Sequence, residues 1–153
     1  MRVRGAHLAV FLFLGTSFAA DAALASTPKP VHPARVFAGD ALKLVIAHQW
    51  DDFVRVCDPD HRKVQLKQMK MAKAQYIGEM LGLFRAGNSI GGKNAPTLTD
   101  LRRIKKITLG KMRRAGASYM FVGVVTLRSG KKLTLHLMVH RVKGRLFLTG
   151  AVG

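Results

Sequence analysis

The sequence predicts an α+β fold, with N-terminal helices packed on one face of a curved antiparallel β-meander. Three observations predict it. Up to about residue 85, apolar residues recur at spacings of mostly three, four and seven, as on the buried stripe of a helix. AGNSIGGKNAP, residues 86 to 96, is rich in glycine and breaks that pattern. Beyond it the period falls to two, and short glycine turns separate β-branched runs, which is the pattern of antiparallel hairpins. Helices first and hairpins second argue for α+β.

The first stretch is set apart from that domain. Arg2 and Arg4 precede the uncharged run from Ala6 to Ala20, and DAALAS follows with small residues at the spacing of a cleavage site. This order predicts a signal peptide over residues 1–25, and with it an exported, periplasmic or secreted protein. The run is shorter than the roughly 20 residues a spanning helix needs. STPKPVHP, residues 26–33, holds three prolines and reads as an extended linker. Residues 34–153 form a single domain.

From Ala34 the pattern is helical, with Val36, Phe37, Leu42, Val45 and Ile46 on one expected face. Gln49-Trp50-Asp51-Asp52 interrupts it, and a short second helix passes through Phe53, Val54 and Val56. Asp58-Pro59 is a helix start, with a capping carboxylate before a proline that suits the first turn. That third helix is expected to run to about Arg85, burying Leu66, Met69, Tyr76, Ile77, Met80, Leu83 and Phe84 and setting Lys63, Lys67, Lys70 and Lys73 on a separate stripe. Ile107 and Leu109 then alternate with Lys106 and Thr108. Strands are expected over Ser118 to Arg128, Lys132 to Val142 and Arg145 to Val152, with turns at Ser129-Gly130 and Lys143-Gly144.

LTLHLMVH, residues 133 to 140, poses the sharpest chemical question. On a helix His136 and His140 would converge on one ion. On a strand, at about 3.4 Å per residue, four positions separate them by roughly 13 Å, beyond the reach of shared coordination at bonds of about 2 Å. Leu133, Leu135, Leu137 and Val139 form the better core side, so Thr134, His136, Met138 and His140 line the other face, either against solvent or as the wall of a ligand pocket. Other motifs weaken on inspection. GNSIGGK has the glycine and lysine spacing of a phosphate-binding loop, but Asn94 stands where a hydroxyl should hold magnesium, and a helix precedes it. Met69 and Met71 point apart on a helix, so Met69 is expected in the core rather than on copper. Cys57, Asp58, Asp60 and His61 are ligand types close together, but Asp58 has a capping role. The single cysteine excludes an intramolecular disulfide framework and is expected to be a half-buried apolar residue. No metal or cofactor is expected.

Charge placement is the strongest anomaly. Cleavage after Ala25 leaves 24 basic and 7 acidic side chains, a net of +17. From Leu101 onward there are 13 basic residues and no acid. Arg102, Arg103, Lys105, Lys106, Arg113 and Arg114 are the candidate contacts for an anionic partner, which for an exported protein means phospholipid or lipopolysaccharide headgroups. Nucleic acid is disfavoured by the signal peptide and by the few aromatics among these basic residues. A sheet without a carboxylate also lacks the commonest general bases, leaving only His136 and His140 there.

The order of elements resembles a known superfamily. An amphipathic helix, then Gln49-Trp50-Asp51-Asp52-Phe53, a short helix ending at Cys57-Asp58-Pro59, and a meander with turns at Ser129-Gly130-Lys131 and Lys143-Gly144-Arg145 is similar to the nuclear transport factor two-like superfamily, a cone-like α+β roll. The likeness covers roughly residues 34 to 152 and is architectural. Where that superfamily often ends its last strand on tryptophan, this chain has Leu146-Phe147-Leu148. The resemblance implies a cone-shaped pocket between helices and sheet. Its ketosteroid-isomerase-like and polyketide-cyclase-like enzymes place an aspartate or histidine there; here only His136 or His140 could serve, and no catalytic residue is carried over. Many exported members look like binding or accessory modules. The expected function is therefore an exported, non-enzymatic binding module that contacts an anionic envelope component or a small apolar ligand in a helix–sheet cleft. An isomerase- or cyclase-like enzyme, a structural partner in an envelope complex, and a homodimer are the alternatives. Intact-mass measurement on the exported protein tests the first step: the expected product begins at Ser26, and a mature chain retaining residues 1–25 would contradict the assignment.

Overall fold

A computed structural model describes residues 30–150. The signal peptide, the linker up to Lys29 and the end of the last expected strand lie outside the described residues. The described chain is α+β. Helices α1 (Pro33–Ile46), α2 (Trp50–Arg55), α3 (Pro59–Arg62), α4 (Lys73–Met80) and α5 (Leu98–Leu101) precede strands β1 (Ile104–Ala115), β2 (Ser118–Leu127), β3 (Lys132–Val142) and β4 (Arg145–Thr149). The strands form one antiparallel sheet in the order β1-β2-β3-β4, as a meander should.

The period of two decides which face is buried. Leu133, Leu135, Leu137 and Val139 of β3 are buried and pair across with Val125, Gly123, Phe121 and Tyr119 of β2. Phe53 of α2 and Tyr76, Ile77 and Met80 of α4 join them in one core. Each large apolar side chain enclosed this way stabilises the fold by about 1.5–3 kcal/mol. The opposite face of the sheet is far more open: Val122 and Val124 are each 39% exposed.

Helix α1 buries a different stripe from the expected one. Val36 and Ile46 are exposed, while Ala34, Ala38, Ala41, Leu42 and Val45 are buried. The three alanines let the helix axis lie close to its neighbours, and the larger residues fall to either side.

The long third helix is also not continuous. After α3 come a π-helical turn (Lys63–Gln68) and a reversal in which Lys70 adopts a left-handed φ of 53°; α4 starts only at Lys73. No residue from Pro59 to Gln68 is buried, and Met69 is 65% exposed, so its expected core position is overturned. The physical reason is composition. Lysines at 63, 67, 70 and 73 leave too little apolar surface to hold this stretch against the core, and a helix owes most of its stability to a packed face. Helix α4 stops at Met80, short of Arg85, because Gly82 takes a φ of 69°. Gly82 N–H donates to Glu79 O at 2.9 Å and Leu83 N–H to Gly78 O at 2.7 Å, the paired bonds of a Schellman stop. Leu83 folds back into the core, while Phe84 points outward and is 40% exposed.

Strand β1 carries two irregularities of register, between Ile104 and Lys106 and between Leu109 and Met112. Such bulges bend a strand and raise its twist. Two glycines permit the close approach at the second one: a Cβ on Gly110 would collide with Val122 O, and one on Gly123 with Thr108 O. Gly123→Ala is therefore expected to destabilise the protein by about 2–4 kcal/mol through backbone displacement, whereas Gly130→Ala, in an open turn, should cost clearly less. Urea unfolding of the two variants checks this; equal costs would contradict the close approach.

Candidate functional site

The two histidines of β3 lie on the outer face, alternating with the buried leucines. Both are engaged by the helical layer. His136 N–H donates to Leu81 O at 3.1 Å, and a Cβ on Gly82 would sit 2.8 Å from His136 Cβ, so the α4 stop presses directly on this residue. Beside it, Asn88 bridges to Thr134: its amide donates to Thr134 O at 2.7 Å and its Oδ1 accepts from Thr134 N–H at 2.7 Å. These bonds occupy the stretch of β3 that β4 does not reach, since β4 pairs only from Met138 onward.

His140 has a charged partner. Its Nε2 lies 2.8 Å from Asp58 Oδ2, with side-chain exposures of 25% and 14%. The other carboxylate oxygen, Oδ1, accepts from Asp60 N–H and His61 N–H, each at 2.9 Å, which is the α3 cap expected from Asp58-Pro59. Burial works against ionising Asp58, but the donors from His61, His140 and Asp60 outweigh it and hold its pKa below the ordinary value. With Asp58 ionised, His140 Nε2 carries the proton. Nearby, His61 Nδ1 is 3.4 Å from the hydroxyl of fully buried Tyr76, whose phenol burial pushes up. Cys57 is fully buried rather than half-buried; burial raises its thiol to about 12, and it donates to Phe53 O. Such a thiol is neither a nucleophile nor available to link two chains.

Of the stripe expected as a pocket wall, Thr134, His136, Met138 and His140 all face away from the core. The cleft between helices and sheet is lined by other residues. A cavity of about 400 Å³ opens between α1 and β1, bounded by Gly39, Leu42, Lys43, Ile46, Ala47, Ile107 and Leu109. A second, of about 340 Å³, adjoins it through Ile46 and is lined by His48, Ile104, Lys105 and Arg128. Further along α1, the Arg35 guanidinium ties the helix to β1, donating to Gly110 O at 2.7 Å and Leu109 O at 3.3 Å.

The six expected anion contacts do not form one patch. Arg102 caps α5, and Arg103 reaches Asp100 at 3.5 Å. Lys105 is left unpaired at the first bulge of β1 and lines the second cavity. Lys106 pairs opposite Thr126 on the outer face, as Arg113 does opposite Met120, about 23 Å further along the strand. Arg114 turns to Gly116 O at 3.2 Å. Reading the sequence alone missed Arg128 and His48, which stand near Lys105 only because the β2–β3 turn and the end of α1 meet at the start of β1. The GNSIGGK stretch is a turn-rich loop anchored by buried Ile90 and followed by no helix until Leu98. No helix among the described residues is long and apolar enough to cross a membrane. No family model, curated protein or solved structure matches the chain.

The Asp58–His140 bond has a measurable signature. A carboxylate whose folded pKa is depressed contributes stability that is fully present above its ordinary value of 3.8 and is lost as pH falls through the lower folded value. Asp58→Asn should therefore be less stable than the parent at neutral pH and should lose less stability on acidification below about pH 4. His140→Ala should cost about 1–3 kcal/mol at neutral pH. Unfolding titrations across the acid range check both; an unchanged acid limb in Asp58→Asn would contradict the assignment.

Proposed function

We propose that the chain is an exported, strongly basic binding module of the cell envelope, not an enzyme, and that its cleft between α1 and β1 receives a small apolar ligand. The observation that carries this reading is the cleft. Leu42, Ile46, Ile107 and Leu109, with the side-chain-free Gly39 between them, make an open apolar wall of the size usual for small-molecule sites. Ile46, an aliphatic side chain of that wall, is 39% exposed. The arrangement also suits the cone-like roll of the nuclear transport factor two-like superfamily, which we propose as the architecture of this domain. Contacts from Arg102, Arg103, Lys105, Lys106, Arg113 and Arg114 to anionic lipid or lipopolysaccharide headgroups belong to the same proposal, with the charge acting to steer the protein toward an anionic surface.

A second reading, an isomerase- or cyclase-like enzyme, draws support from one feature, the carboxylate–imidazole pair of Asp58 and His140. Its chemistry is poorly suited to proton abstraction. A carboxylate held ionised by three N–H donors is a weak base, and a general base works best with a pKa near the working pH.

The cleft can be filled without disturbing the fold. A Cβ on Gly39 meets nothing within 4 Å, and a helix interior gains from losing glycine. Gly39→Leu is expected to keep or raise thermal stability while weakening a neutral fluorescent apolar probe by about tenfold or more. Unchanged probe affinity in a folded Gly39→Leu protein would remove the cleft as the site.

A further inference from the structure

The apolar cleft ends in a place of different chemistry. Ile46 is common to both cavities, so the space beside Leu42, Ile107 and Leu109 neighbours the one lined by His48, Lys105 and Arg128. Helix α1 runs antiparallel to β1: Arg35 meets Leu109 and Gly110 near one end, and Ile46 meets Ile104 and Lys105 near the other. The seam from Leu109 to Lys105 covers four residues of strand, about 13 Å.

The two ends of this seam differ in charge. At the helix side, the Lys43 ammonium is paired with Asp40 at 2.7 Å. Lys105 and Arg128 are in no salt bridge among the described residues, and no acid lies in the chain after Asp100 to offer one locally. Lys105 is held at this spot by the register irregularity between Ile104 and Lys106. Arg128 is held by its backbone N–H, which donates to Arg103 O at 2.7 Å. His48 completes the group: it takes a left-handed φ of 59°, and its ring stacks on Trp50 at 5.3 Å. The negative end of the α1 dipole points toward this place and would disfavour an anion. That effect is blunted because Lys43 O, Val45 O and Leu44 O already accept from Ala47, His48 and Gln49 N–H at 2.9, 3.1 and 2.8 Å. Two full cationic charges outweigh what remains of a partial one.

We propose that the ligand of the cleft is an anionic single-chain amphiphile, its alkyl chain along Leu42, Ile46, Ile107 and Leu109 and its acidic head at Lys105, Arg128 and His48. This rests on the cleft reading above and adds to it the class of head group and the direction of binding. A phosphate or carboxylate head would take charge-assisted bonds from the Arg128 fork and the Lys105 ammonium. The chain supplies burial that a free anion lacks, and the head supplies pairing that a neutral alkane lacks.

The test uses the intact mature protein and three probes below their aggregation concentrations: decyl phosphate, decanol and inorganic phosphate. Calorimetric titration should give decyl phosphate an affinity at least about tenfold above decanol, with inorganic phosphate much weaker than either. A Lys105→Gln, Arg128→Gln double variant should bring decyl phosphate down to the level of decanol and leave decanol itself unchanged. Gly39→Leu should weaken both decyl compounds and leave inorganic phosphate as it was. Equal binding of decyl phosphate and decanol to the parent protein, or a double variant without effect, would overturn the head-group assignment while the apolar cleft stood. Failure of both decyl compounds to bind would overturn the cleft and this inference together. Association with phosphatidylglycerol vesicles that persists in Gly39→Leu, with no binding of the monomeric decyl phosphate, would move the contact to a charged surface and likewise overturn it.

Discussion

The helical half of this protein is tied to the β4 edge of its sheet and leaves an open cavity beside β1 at the other. Two backbone hydrogen bonds tie the α2–α3 connector to β4. Asp58 N–H donates to Leu148 O at 2.7 Å, and Leu148 N–H to Val56 O at 3.0 Å, so the connector between α2 and α3 lies parallel to β4 like a short fifth strand. The Asp58 carboxylate then reaches past β4 to His140 of β3. An open strand edge carries unpaired N–H and C=O groups, and covering it removes a place for unwanted pairing. At the other edge, β1 has no such neighbour. There the Arg35 guanidinium bonds to Gly110 O and Leu109 O.

That asymmetry places the seam proposed as the ligand site. Where the connector binds β4, buried Cys57 and Leu148 pack together and no space remains. Where α1 passes β1, two bulges bend the strand, and Gly39 offers no side chain to fill the gap. An apolar surface left open in this way loses the stabilisation of about 25 cal/mol per Å² that burial would provide. A ligand of matching chemistry recovers it. The basic residues matter in the same local way. In the proposed reading their sum steers anionic partners over a distance, while recognition at short range belongs to Lys105 and Arg128, which line one cavity from β1 and from the β2–β3 turn.

How much of this was legible in the sequence depended on the reach of each interaction. The LTLHLMVH alternation was readable because a strand's period is a local property, and it placed Leu133, Leu135, Leu137 and Val139 inside. The Asp58 cap was readable because all its backbone donors lie within three residues. The α4 stop at Gly82 is also local, and the glycine in EMLGLF marks it, yet the expected helix ran past it to Arg85. The capping box of α5, Thr97 with Asp100, is equally local but was not read from the sequence. The break near Lys70 was harder, since the lysine stripe fits a helix equally well until burial is asked for. The Asp58–His140 bond, between residues 82 positions apart, and the meeting of His48, Lys105 and Arg128 could not be read, because each depends on how separate elements pack.

The central claim is that α1 and β1 enclose an open apolar seam rather than a packed contact. Methyl-resolved NMR of the protein under xenon tests it without assuming any ligand, because xenon enters apolar space that water does not hold well. Shifts concentrated on the methyls of Leu42, Ile46, Ile107 and Leu109, with those of Leu135 and Leu137 unmoved, are the predicted result. Xenon shifts absent from the seam, together with close methyl contacts between Ile46 and Ile107 across it, would contradict the account.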